Sequence, residues 1–333
     1  MKIPSYLWHL RGQDQDGPNI LILGGTHGDE LTGIEVVRQI LQRLQLLSET
    51  GGSTTDYEIR GNLYIGFGNP EAILRRTRAA SGNKDLNRSF IPAELAKKSH
   101  TRDSLDLRRA RELAPLLRDI DILLDLHATS NPAPSFVCCT EASKRHLALC
   151  EHLDIKYVLT DPHQLISKEF QSNIPGTTDY YVDAYGGSRW SKATYGKKLG
   201  TAICYETGHE ADTSKVKQVL NEVLSELIRQ KTFTTKKVKS LFPEFIPSKR
   251  QKVAQSIVYS LTYCYRAEAT GFRYKKGMDK GWQRVSKGQI LGHYPNGRQV
   301  TIDRSGMLVF PLAAHKVVPG KALYWIATST DKK

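Results

Sequence analysis

Long apolar runs, paired cysteines and acidic charge are all scarce in this sequence. No stretch approaches the roughly 20 apolar residues of a membrane-spanning helix, so no membrane partner is expected. Met1 to Gln15 turns polar after Trp8 and lacks the apolar core of a secretory signal. The five cysteines, Cys138, Cys139, Cys150, Cys204 and Cys264, are odd in number and show no C-x-x-C spacing. A reduced, cytoplasmic setting fits them better than a disulfide framework. The H-E-x-x-H, G-x-S-x-G, P-loop and G-x-G-x-x-G signatures are missing, and Gly24, Gly25 and Gly28 are wrongly spaced for a dinucleotide loop.

Acids are outnumbered, 34 against 48 Lys and Arg, for a net charge of +14. Such a balance suits nucleic acid, an anionic small substrate or simple solubility. The 15 tyrosines are scattered, so no base-stacking platform follows and no specific nucleic-acid partner is expected. Basic residues crowd Lys231 to Lys252, where seven face one acid, Glu244. That stretch reads as a solvated linker.

What is present is an alternation of strands and helices. Asn19 to Gly25 is a short apolar run ending in glycines, a buried strand entering a tight turn. Leu31, Ile34, Val37, Leu41, Leu44 and Leu47 recur at helical spacing. Further strands are expected at Tyr57–Phe67, Asp121–Leu126, Lys156–Thr160 and Thr201–Tyr205. Helices are expected at Ser104–Ile120, kinked or restarted at Pro115, and at Glu141–Leu153 and Asp212–Lys231. The pattern predicts an α/β fold with a mixed, mostly parallel sheet flanked by helices. Beyond about Arg250 short strands and glycine turns take over, as at Val253–Tyr265, Val285–Gly292, Ser305–Phe310 and Val317–Ile326. A catalytic domain over 1–240 and a small all-β domain over 250–333 are therefore expected.

Parallel sheets bind ligands beyond the carboxyl ends of their strands. Three predicted strand ends carry metal-ligand residue types: Gly25-Thr-His27-Gly-Asp-Glu30, Asp125-Leu-His127 and Glu206-Thr-Gly208. A His and a carboxylate three apart at a helix start can face one point, and a second His completes a His₂Glu set with a position left for water. Asp29, at i+2 from His27, should point away. A non-ligating carboxylate, Glu206, would take the water's proton. Each group alone has a plainer use: His27 as a turn residue, Glu30 as favourable charge in a helix's first turn, His127 as a core histidine, Glu206 as half of an ion pair. Arg75, Arg76 and Arg78, followed by Lys84-Asp-Leu-Asn87-Arg88, form either a basic loop or a carboxylate clamp.

These segments, with Asn69-Pro70 between them, are similar in order and spacing to the aspartoacylase/succinylglutamate desuccinylase family of the zinc carboxypeptidase-like superfamily. The resemblance implies a zinc amidohydrolase that removes an acyl group from a small N-acyl amino acid. It implies one Zn2+ per chain on His27, Glu30 and His127, with Glu206 as general base. Asn87 and Arg88 would hold a substrate carboxylate, and Arg78 would stabilise the oxyanion. The Arg78–Asn87 interval is longer than the family's, which keeps Arg76 as an alternative. Arg189, 17 residues before Glu206, is a further candidate for substrate binding. A zinc carboxypeptidase acting on short peptides is the competing activity.

Overall fold

A computed structural model of the chain describes residues 2–47, 51–81, 84–98, 100–169, 174–248 and 257–330. Its six N-terminal strands are β1 (Leu7–Gly24), β2 (Ser53–Phe67), β3 (Ile122–Thr129), β4 (Phe136–Cys139), β5 (Tyr157–Thr160) and β6 (Thr201–His209). The C-terminal strands are β7 (Ile257–Arg266), β8 (Arg273–Tyr274), β9 (Gln283–Val285), β10 (Ile290–His293), β11 (Gln299–Thr301), β12 (Gly306–Val309) and β13 (Ala322–Ser329). Ten strands join one sheet in the order β2-β1-β3-β6-β4-β5-β7-β13-β12-β9, and β11-β10-β8 form a small second sheet. Pairing is parallel from β2 across to β6 and again from β4 to β7. The β4–β6 pair is antiparallel, as are the pairs among β7, β13, β12 and β9. The sheet is thus the expected mixed, mostly parallel one.

Side-chain alternation sorts the two faces. Ile20, Ile22, Leu124, Leu126, Ile203 and Tyr205 pack on one face with the helices Leu31–Arg43 and Val216–Arg229. Leu21, Leu23, Leu123 and Ala202 pack on the other, against the helix Leu105–Leu117 and Tyr181 and Val182 of the helix Thr178–Tyr185. Asp125 and His127 share the face of Leu123, and Cys204 and Glu206 share that of Ala202. The period of two therefore delivers all four to one side.

Several expected elements are redrawn. The helix Leu105–Leu117 continues through Pro115, which forfeits one bond, to the Arg111 carbonyl, with only two helical residues left beyond it. The basic stretch from Lys231 is not a solvated linker. It contains the helix Thr235–Leu241, and Phe233, Val238, Phe242 and Phe245 are buried in the core beside Leu220, Val223 and Leu227. Its charges point outward from an apolar stripe; residues 249–252 lie outside the described ones. The expected boundary between 240 and 250 is also crossed by the sheet. β7 pairs with β5 on one side and β13 on the other, so β-structure continues without a break into the C-terminal unit. All five cysteines are free. Among the described residues no helix is long and apolar enough to cross a membrane.

Candidate active site

β1 ends at Gly24, and the chain turns sharply before the helix Leu31–Arg43. Gly25 adopts φ +68°, a conformation that suits glycine. Gly28 lies so close to the next turn that a Cβ would sit 2.0 Å from the carbonyl of Ala72. This tight turn aims His27 and Glu30 inward, and both are buried. His127 arrives at the end of β3, with Glu206 as its register partner on β6. Residues directly paired across two strands bring their side chains together on one face.

The three expected ligands converge. Glu30 Oε1 is 2.7 Å from His27 Nδ1, and Glu30 Oε2 is 3.0 Å from His127 Nδ1. One donor atom from each lies within 4.8 Å of the others. The Glu30 carboxylate also accepts the Ala128 amide at 2.9 Å. Burial works against its charge, but the two imidazoles outweigh this and hold it well below the usual carboxylate range. Burial likewise opposes charge on the imidazoles. Glu30 with Asp85 at His27, and Asp125 with Glu30 at His127, nevertheless hold both above their ordinary value.

Two further carboxylates lie against the imidazoles. His27 Nε2 lies 3.5 Å from Asp85 Oδ1, and His127 Nε2 lies 3.0 Å from Asp125 Oδ2. Asp125 is itself fixed by Thr26 Oγ1 at 2.9 Å and Thr178 Oγ1 at 2.6 Å. Such outer carboxylates are the usual support of metal-bound histidines. Sequence reasoning gave Asp85, Asp125 and Thr178 no role. The two aspartates stood inside quoted motifs, two residues from Asn87 and His127. Thr178 carried no local signal.

Asp125, His127 and Cys204 form another close group. Burial pushes the Cys204 thiol far up, which disfavours the thiolate that a metal would need and makes this the poorer ligand set. Glu206 Oε2 is buried and without a hydrogen-bond partner. Burial pushes its carboxyl up to about 7, with Glu30 adding to the rise and His127 opposing it.

Arg78, half exposed, donates from Nε to Asp85 Oδ2 at 2.9 Å and holds Nη1 3.9 Å from Glu30 Oε1. Burial lowers its affinity for the proton, but Asp85 and Glu30 more than compensate and fix the positive charge. Arg76 is exposed and caps the helix Pro70–Arg75 in a left-handed conformation. The cluster therefore has Arg78 beside it. Asn87 is buried, and its Oδ1 accepts from the Thr178 amide at 2.8 Å. Arg88 donates to the Asn87 carbonyl at 2.6 Å. Arg189 is not brought to the group. It is exposed at the start of the helix Arg189–Tyr195, directly after Ser188, which is bonded to Asp121. Asp121 precedes β3, so Arg189 sits at the amino ends of the strands, opposite His127.

A model of the succinylglutamate desuccinylase/aspartoacylase catalytic domain matches residues 16–186. The chain belongs to this family. Glu206 lies beyond the matched span, and its place at the site follows from the β3–β6 register. An N-acyl-aromatic-L-amino acid amidohydrolase (carboxylate-forming) of Rattus norvegicus is 28% identical over 172 residues, covering 50% of this chain and 49% of that protein. An aspartoacylase of Danio rerio is 28% identical over 124 residues, covering 35% and 36%. The chain thus spans about half the length, or less, of these curated relatives. The fold is shared with a succinylglutamate desuccinylase/aspartoacylase of Rhodobacter sphaeroides, at TM-score 0.66 and 17% identity over 97% of this chain and 88% of that one. Murine aminoacylase 3 gives TM-score 0.64 and 18% identity over 94% and 95%.

Proposed function

We propose that this member of the family is a zinc-dependent amidohydrolase that cleaves the acyl group from a small N-acyl amino acid. The observation that carries the reading is the convergence of His27, Glu30 and His127 beside the unpartnered Glu206 Oε2. Two imidazoles and one carboxylate are a zinc donor set that leaves room for water. The donors are buried, and Asp85 and Asp125 back the histidines, so the residues present fit the ion. When bound, a zinc ion polarises a carbonyl and makes water acidic enough to attack near neutral pH.

The chain's own residues supply the remainder. Glu206 takes a proton from the attacking water and returns it to the departing amine. The burial of its Oε2 raises its proton affinity to near neutrality, where both steps are accessible. Arg78 presents a fixed positive charge beside Glu30, where an oxyanion would develop. Asn87, held by Thr178 through Oδ1, would offer Nδ2 to a substrate carboxylate, with Arg88 beside it. Arg189 has no part in this scheme.

The test is amine release from a panel of acetyl, succinyl and longer acyl groups on acidic, basic and neutral amino acids, with and without a chelator. Turnover of one member that a chelator abolishes and zinc restores is the expected result. Zinc-loaded protein that turns over only unblocked dipeptides would replace this reading with a carboxypeptidase.

A further inference from the structure

The C-terminal unit reaches the rim of the site with the side chain of Lys316. Lys316, the last residue of the short 3-10 helix Ala314–Lys316, places Nζ 2.7 Å from both carboxylate oxygens of Glu210 and 3.2 Å from Asp29 Oδ2. Three acceptors take up the three ammonium protons. The three side chains are 25%, 16% and 19% exposed, so the charges are partly withdrawn from water and only partly screened.

Both acids flank the candidate ligands His27, Glu30 and His127. Asp29 immediately precedes Glu30 and lies two residues after His27. Glu210 follows β6, four residues after Glu206. Its amide donates to the Thr129 carbonyl at 2.8 Å, and its carbonyl accepts from Leu31 N at 2.9 Å. Glu210 therefore links the end of the strand that carries His127 to the start of the helix behind Glu30. Thr32 Oγ1 adds a bond to the Asp212 carbonyl. Around Lys316, Ala313 N donates to Ser130 Oγ at 3.4 Å, and the Pro311 carbonyl accepts from Asn131 Nδ2 at 3.1 Å. The loop 311–316 is thus seated on the segment that follows β3.

We propose that Lys316 is a positioning residue. By bridging Asp29 and Glu210 with its single positive charge, it holds the His27–Glu30 turn against the ends of β3 and β6 and so sets the affinity of the site for its ion. Without Lys316 two partly buried carboxylates face each other, and like charges at this range separate. Any such movement that involves the Asp29 backbone carries Glu30 with it. This proposal rests on the metal reading of the site.

The experiment compares full-length wild type with Lys316→Met, Lys316→Arg and Arg298→Met. Arg298 pairs with the half-exposed Glu268 within the C-terminal unit and serves as control. Zinc affinity is measured by competition with a chromogenic chelator, and amide hydrogen exchange is followed in metal-free protein. Lys316→Met should bind zinc about 10-fold or more weakly, in the range expected for loss of an outer contact. Its exchange should accelerate in 26–31 and 207–212 first. Lys316→Arg should recover most of the affinity, and Arg298→Met should match wild type. Wild-type affinity in Lys316→Met overturns the proposal, even where its thermal stability falls. So does weakened binding with exchange accelerated uniformly. If wild type itself binds no zinc, the metal reading fails, and unchanged exchange in 26–31 and 207–212 then overturns the clasp separately.

Discussion

Glu206 and Arg78 make opposite uses of their surroundings. Glu206 is half-buried, with Oε2 shut off from water and without a hydrogen-bond partner among the described residues, and its carboxyl rises to about 7. Arg78 keeps one face in solvent and is pinned by Asp85 and Glu30. Glu206→Gln should lower kcat by about 10²–10⁴-fold, the usual contribution of a general base, with zinc content unchanged. Rates and metal analysis on the same preparation check it, and near wild-type turnover would remove Glu206 from the mechanism. Arg78→Met should lower kcat by about 10²–10³-fold, as loss of an oxyanion donor does. Arg76→Met should be close to wild type, because Arg76 points from a helix end into solvent. Equal losses in both variants would dissolve that distinction. His27, Glu30, His127 and Glu206 were legible because each stands at a strand end, where a parallel sheet must place its ligands. Asp125 was not, since its work is to join Thr26, Thr178 and His127, contacts between segments up to 99 residues apart.

Among the elements, long periodic ones announced themselves and short ones did not. The apolar runs at Asn19–Gly24 and Ile122–Leu126 are buried on both faces, as central parallel strands are. β4 is four residues long, and nothing local tells that it runs antiparallel to β6. The helix Thr178–Tyr185, which supplies Thr178, has only one turn's worth of apolar residues facing the core. The helix Thr235–Leu241 was hidden by charge. Its lysines mask Val238 and the following Phe242 and Phe245, whose spacing of four and three residues is helical. If that stripe anchors the segment, Phe242→Ala should cost about 3–5 kcal/mol, as for other buried phenylalanines. Lys237→Ala on the outer side should cost far less, since its ion pair with the exposed Glu58 is long, at 3.9 Å, and its ammonium over the Tyr57 ring, 4.9 Å from the centroid, adds about 0.5–1 kcal/mol. Chemical denaturation of the two variants decides it, and similar midpoints would return the stretch to the status of a linker.

At the scale of the molecule, the sheet runs across the change of composition near residue 250, while the residues from Ala267 to Ile326 also hold a core cluster of their own. Local sequence records which residues favour strands; it does not record which edge they join. Here β7 joins β5, so the catalytic sheet has no free edge on that side. Phe136 packs edge-on against Trp282, with ring centroids 4.9 Å apart, and Trp282 stacks on Tyr157 at 4.3 Å. Phe136 is also the register partner of Glu206. A chain ending at Ser248 would bare the β5 edge and the apolar face over Phe136 and Leu159, which Tyr259, Leu261 and Trp282 cover. It would also lose Lys316 from the rim of the site. Unpaired edges beside apolar surface promote association, so the 1–248 fragment should be aggregated or unfolded and should not bind zinc. Size-exclusion chromatography and the chelator competition test this directly. A monomeric fragment that unfolds cooperatively and binds zinc as the full chain does would show that the catalytic half is self-sufficient. The C-terminal strands would then be a cover over a finished sheet rather than part of it.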